Sequence, residues 1–183
     1  MLFPLMESDK SKSSSFSKDN LQMELLTIKI DLPMDGTQII LAQSHFIKTV
    51  EDVYESLSNS VPGIKFGLAF CEASGPCLVR HQGNDPNLEV IATNWAYKIG
   101  AGHSLVILIQ NAYPINILPH LRAMPELVNI YCATANPVDV ILAETDSGRS
   151  ILGVVDGFKP KGIEADKDIE ERKNFLRNIG YKL

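Results

Sequence analysis

The chain predicts a mixed α/β (α+β) fold, layered mixed β-sheets flanked by helices, with about eight strands and four helices. Three observations predict it. Short β-prone runs alternate with stretches of helical periodicity. Several of those runs follow one another across tight turns, which a clean doubly wound parallel sheet does not allow. One run, Ser104 to Gln110 (SLVILIQ), is apolar on both faces and so belongs in the middle of a sheet.

The elements follow in order. Leu25 to Asp31 (LLTIKID) and Thr37 to Ala42 (TQIILA) read as strands joined by Pro33-Met34-Asp35-Gly36, in the manner of a hairpin. A helix opens near Thr49, taken as its N-cap, with Glu51 and Asp52 at its positive end. Ile64 to Cys71 is an apolar strand, broken by the turn Ala73-Ser74-Gly75-Pro76 and followed by a short run from Cys77 to Arg80. Asp85 and Pro86 are N-cap and first-turn residues of a helix reaching Ile99. Leu88, Ile91, Ala92, Trp95, Ala96 and Ile99 recur on its inner face, and Gly100 stops it. Asn116 to Met124 reads as a short helix. Leu127 to Ala133, Val138 to Thr145 and Ser150 to Val155 read as strands, with Gly153 marking a bulge or a close approach. A last helix over 166–179 points Ile169, Phe175, Leu176 and Ile179 inward.

Composition bounds the function. A chain of 183 residues is one domain with at most a tail, and buries roughly 70% of its unfolded surface. Residues 1–22, rich in Ser and Lys and without period, read as a disordered tail, and 23–183 as a single domain. The net charge of −5 excludes a general nucleic-acid footprint. The longest apolar run is too short to cross a bilayer, so no membrane role is expected. Three cysteines, with no C-x-x-C pair, fit a reducing cytoplasm better than a disulfide or zinc framework. Cys71 and Cys77 read as small buried residues.

Several residues can carry chemistry. His103 follows Gly100-Ala101-Gly102 and opens a buried strand. Its neutral imidazole is a nucleophile toward phosphorus, and the glycines let a phosphate approach the backbone; a hydrogen-bonded structural histidine has the same pattern. His45 stands before a helix start and can bind a phosphate or a base, or pack into a turn. His81 and His120 read as solvent-facing. Glu72, Asp85 and Glu144 sit at element ends, where two meeting carboxylates hold Mg²⁺. Arg80 and Arg149 are candidate phosphate clamps or surface charges. Asn136 before Pro137 either bonds a base edge or caps a turn. GAGH is not a dinucleotide fingerprint, and no Walker sequence exists.

Taken together, QSHFIKTVEDVYE, SVPGIKFGLAFCEASGPCLVR, GND, IGAGHS, PINIL, CATANPV, ILGVVDG and RKNFLRNIGYKL resemble the adenosine-specific kinases, from about Glu24 to Leu183. The resemblance implies binding of adenosine and its nucleotides (AMP, ADP, ATP), with Mg²⁺ as a further expectation. It also implies a homo-oligomer, expected as a trimer, and a histidine that carries phosphate. His103 in GAGHS matches that role first and His45 second. Glu72, Ser74, Gly75, Asn84 and Asp85, in CEASG and GND, match residues expected around the nucleotide, with Gly100, Gly102 and Asn136 beside them. In the expected mechanism His103 takes the terminal phosphate, while Gly-lined N–H groups and the helix start at Asp85–Leu88 hold its oxygens. The alternatives are an adenine-nucleotide sensor without turnover, and a hydrolase using Cys71 as nucleophile.

Overall fold

The computed structural model describes residues 23–32 and 36–183. Residues 1–22, and with them the expected tail, lie outside the described residues, as do Pro33, Met34 and Asp35 of the expected turn. The expected α+β fold is the one the chain adopts, with eight strands and four helices among the described residues. They are β1 (Glu24–Ile30), β2 (Gln38–Ser44), α1 (Thr49–Ser58), β3 (Lys65–Cys71), β4 (Val79–Gly83) and α2 (Pro86–Ile99). Then come β5 (Ser104–Gln110), α3 (Pro114–Arg122), β6 (Leu127–Thr134), β7 (Val138–Thr145), β8 (Gly148–Asp156) and α4 (Asp166–Asn178).

Two sheets form. One has five strands in the order β4-β3-β5-β2-β6; the other has three, β1-β7-β8. Strand pairs in both are antiparallel. The all-apolar β5 lies at the centre of the larger sheet, as its sequence requires. Each face of that sheet carries its own core. On one face Phe66, Leu68, Phe70, Leu105 and Ile107 pack under Val53 and Leu57 of α1 and Ile117 and Leu121 of α3. On the other, Ile39, Leu41, Ala69, Val106 and Leu108 meet Leu88, Ala92, Ala96 and Ile99 of α2 together with Val138, Val140 and Leu142 of the small sheet. The period-2 alternation of each strand therefore sorts its side chains between two layers.

α2 is positioned by chemistry at both ends. Asp85 accepts hydrogen bonds from the backbone of Asn87 (3.1 Å) and Leu88 (3.2 Å), and Pro86 opens the first turn. The helix start lies directly on β3 at Gly67, where a Cβ would come within 2.1 Å of the Glu89 backbone nitrogen. Gly100 ends the helix in the left-handed region, φ 59°.

Four expectations need correction. β1 and β2 are not a hairpin: β1 pairs with β7, and β2 with β5 and β6, because the apolar β2 is buried on both faces and belongs inside the larger sheet. Thr49 is the first residue of α1 and not its N-cap; its hydroxyl bonds the Phe46 carbonyl and Ser44 instead. α3 begins two residues earlier than expected, on Pro114, where the Asn116 side chain accepts from the Tyr113 N–H. α4 turns no residue into either core: Phe175 is 58% and Ile179 46% exposed. Its helical period is real, but neither sheet lies beneath it. The bulge expected at Gly153 is present, with the β7–β8 register shifting between Ile141 and Leu142.

Candidate functional site

Three turns converge at one end of the larger sheet. The first follows β3 (Glu72, Ala73), the second follows α2 (Gly100 to His103), and the third joins β7 to β8 (Asp146, Ser147). Between them lies a groove of about 630 Å³, within the usual range for small-molecule sites. Cys71, Leu78, Val79 and Ala143 give it apolar walls, Tyr97 an aromatic one, and Thr145, Ser147, Arg149 and Ser150 a polar edge. A smaller cavity of about 140 Å³, lined by Gln43, Ser104 and Tyr131, shares Gly102 and Arg149 with it.

The local sequence explains how the turns fit. A Cβ on Gly102 would stand 2.9 Å from the Ala73 Cβ, so only small residues let the two turns touch. The His103 N–H donates to the Cys71 carbonyl (2.8 Å), and the Ser44 N–H donates to the His103 carbonyl (2.9 Å). His103 is thus stitched between β3 and β2 with φ 64°, and Cys77, also lining the groove, has φ 52°. Left-handed backbone at non-glycine residues costs free energy and gathers at functional sites.

The charges around the groove are paired. Glu72 accepts from Arg80 (3.1 Å). Arg149 donates through Nε to Glu144 (3.1 Å), through Nη2 to the same carboxylate (3.2 Å), and through Nη1 to the Lys98 carbonyl at the end of α2 (3.1 Å). Asp85 faces Lys65 at 3.6 Å. The three carboxylates considered for Mg²⁺ are therefore each matched to a cation. No group of three His, Cys, Asp or Glu side chains with metal-ligating geometry occurs among the described residues.

The expected site residues divide into three groups. Glu72, Gly100 and Gly102 line the groove. Ser74 and Gly75 lie in the turn beside it without lining it, Gly75 with the expected positive φ of 65°. Asn84, Asp85 and Asn136 lie elsewhere. Asn84 bonds the backbone of Ile64 and Phe66, Asp85 caps α2, and Asn136 bonds Asp156 (3.0 Å) at the other end of the sheet. The helix start at Asp85–Leu88 and the GAGH turn occupy opposite ends of a 14-residue helix, about 21 Å apart. The start cannot hold oxygens of a phosphate that His103 attacks; the groove receives the C-terminal, negative end of α2 instead.

The histidines separate as well. The His103 ring is half-buried and stacks on Phe70, centroids 5.9 Å apart, on the face covered by α1. His45 is exposed beside Phe46; its N–H donates to the carbonyl of Glu126, a buried residue whose carboxylate pairs with Lys48 at 3.0 Å. His81 is held by Glu89 at 2.7 Å. Cys71 is buried, and its thiol donates to the Ala96 carbonyl (3.3 Å). Burial pushes that thiol above its ordinary pKa, although the Ser104 hydroxyl draws it partly back. A buried, protonated thiol is a poor nucleophile, which counts against the hydrolase reading. Cys77, expected buried, is exposed because its turn projects from the sheet end.

Sequence reasoning gave no functional role to Tyr97, nor to Ser147 and Gly148, although Asp146-Ser147-Gly148 reads as the hairpin-like turn that joins β7 to β8. A signal was present for each. Tyr97 is an aromatic out of phase with the buried stripe of α2, and Asp146-Ser147-Gly148 is a turn directly before the arginine already noted.

No curated protein matches the chain. In structure it resembles the PH1918 protein from Pyrococcus horikoshii OT3, with 46% identity, a TM-score of 0.85, and coverage of 88% of this chain and 99% of that one. The family described as adenosine specific kinase matches residues 28–182. The chain thus belongs to the adenosine specific kinase family.

Proposed function

We propose that the protein is a phosphotransferase acting on adenosine compounds, with the groove as their binding site and His103 as the phosphate carrier. The groove is the observation that carries this reading: about 630 Å³, apolar walled, and lined by an aromatic and an arginine. That is the size and lining a nucleoside needs. Membership of the family supports a kinase-like activity.

In the first step a ring nitrogen of His103 attacks the terminal phosphorus of a nucleoside triphosphate. The P–N bond forms, the bridging P–O bond breaks, and the diphosphate leaves with the electron pair. In the second step an acceptor hydroxyl attacks the same phosphorus. The P–N bond breaks, and the hydroxyl proton passes to the departing imidazole. Gly102 lines the groove and His103 is its chain neighbour, so the turn that carries His103 also forms part of the groove wall.

Incubation with γ-labelled ATP tests the reading. The expected result is label on His103, stable to base and labile to acid, discharged when adenosine is added and absent from His103→Ala. Unlabelled protein that forms no phosphorylated adenosine compound refutes it. One observation favours a second reading, a sensor that binds without turnover: the His103 ring turns to the α1 side of the sheet, whereas the groove opens on the α2 side. Tight adenosine binding without product on long incubation selects that reading.

A further inference from the structure

Among the described residues, Glu126 is a charged side chain sealed from solvent, 1% exposed, and left without a hydrogen bond. Its Oε1 meets no donor, and its Oε2 lies 3.0 Å from the Lys48 ammonium but outside hydrogen-bond geometry. A buried carboxylate costs free energy unless it is both paired and hydrogen-bonded. The backbone holds it in this position. The Glu126 carbonyl accepts from the Ser44 hydroxyl (3.0 Å) and from the His45 N–H (3.1 Å), at the end of the β2–β6 ladder.

The carboxylate is aimed at a second one. Lys48 and Asp52 stand one turn apart at the start of α1, and the same ammonium pairs with both Asp52 and Glu126. That ammonium holds the Asp52 carboxyl below its ordinary range, burial opposes it, and Glu126 is close enough to interact with Asp52 directly. One lysine against two carboxylates leaves the cluster one negative charge in excess. The positive end of α1 adds about half a charge, which weakens that excess without cancelling it. Two carboxylates converging on a point that already holds a cation are what a protein supplies to Mg²⁺, which keeps several of its waters. Lys48 and Asp52 are 40% and 38% exposed, so a hydrated ion can reach the cluster and Lys48 has room to swing away.

We propose that Asp52 and Glu126 form a site for a hydrated divalent cation, Mg²⁺ or Mn²⁺, with the Lys48 ammonium as the counter-ion that it displaces. No His or Cys completes a group of three with them, so the donors suit a hard ion and not Zn²⁺. The site lies on the α1 face. Ser44, whose hydroxyl bonds Thr49 and the Glu126 carbonyl, also donates its N–H to the His103 carbonyl. The His103 ring turns to that same face, so the cation would stand on the side from which a phosphate donor approaches the ring. The cation site itself does not depend on His103 carrying phosphate.

Mn²⁺ titrated into the full chain, followed by the loss of the free-ion electron paramagnetic resonance signal, tests it. A single bound Mn²⁺ per chain is expected, displaced by Mg²⁺. Glu126→Gln and Asp52→Asn are each expected to weaken binding at least about tenfold. Lys48→Gln is expected to tighten it about threefold or more, because the competing ammonium is gone. Asp52 is partly exposed, so Asp52→Asn keeps the test open should Glu126→Gln not fold. Mg²⁺ is also expected to raise the melting temperature of the wild type and not of Asp52→Asn. Equal Mn²⁺ binding by the wild type and Asp52→Asn overturns the site, as does its absence from both the wild type and Lys48→Gln. Either result stands whatever ATP labelling of His103 shows.

Discussion

The two ends of α2 have the same kind of neighbours and opposite characters. At its start Asp85, Pro86, Asn84 and Gly67 are all committed to structure: a cap, a first-turn proline, two bonds to the backbone of Ile64 and Phe66, and a close approach with no room for a methyl group. At its finish Gly100, Gly102 and Tyr97 surround open space. Both ends are marked by glycine and by an adjoining turn. The difference is what lies beside the backbone: β3 in close contact at the start, an open groove at the finish. A helix N-terminus attracts anions only while its N–H groups are free, and those at the start of α2 already bond Asp85. The lesson is that a helix end becomes a candidate site by the open space left beside it, not by its position.

The comparison can be broken at its start. Gly67→Ala puts a Cβ 2.1 Å from the Glu89 backbone nitrogen, and backbone cannot give way cheaply. A loss of about 3 kcal/mol is expected, read as a lower denaturant midpoint. Wild-type stability would mean that the start of α2 does not lie on β3.

The core that joins the two ends gives the next effect. Burial pushes the Cys132 thiol up to about 11 from 9.0. The folded state therefore holds the proton more strongly than the unfolded state. Its contribution to stability is fully present below pH 9 and is lost as pH rises toward 11. On the order of 2 kcal/mol is expected to disappear over that window in the wild type and to persist in Cys132→Ala, by melting at each pH. Parallel pH profiles would contradict this.

Two smaller effects separate binding from folding. Gly102→Ala forces the turns after β3 and α2 apart, since its Cβ would stand 2.9 Å from the Ala73 Cβ. Adenosine affinity is expected to fall about tenfold, or about 1.4 kcal/mol, with little change in melting. Asp85→Ala removes the cap of α2 and is expected to cost about 1 kcal/mol of stability, with adenosine affinity unchanged. An Asp85→Ala protein that folds normally but no longer binds would reverse the assignment of the two ends.

Much of the fold was legible because its signals are local. The both-faces-apolar SLVILIQ announced a central strand, and Asp85, Pro86 and Gly100 bounded α2 to the residue. The β7–β8 hairpin was legible from its turn, but the pairing of β1 was not, since nothing in LLTIKID says that its partner is β7 and not the nearby β2. α4 shows the same limit: amphipathic spacing states that a face can be buried, not that anything lies under it. At the site, CEASG and GAGHS were legible as turns, because small residues beside a buried strand permit close approach. That they meet the β7–β8 turn is a tertiary fact. So is the separation of Asp85 from His103 by a helix length, which adjacency in a motif string conceals.

The most direct test of the account is the position of adenosine in a crystal of the full-length protein soaked with it. The base is expected against Tyr97, with the ribose toward Arg149, at the C-terminal end of α2. Adenosine found instead at Asn84 and Asp85, or on the α1 face with the groove empty, would contradict it.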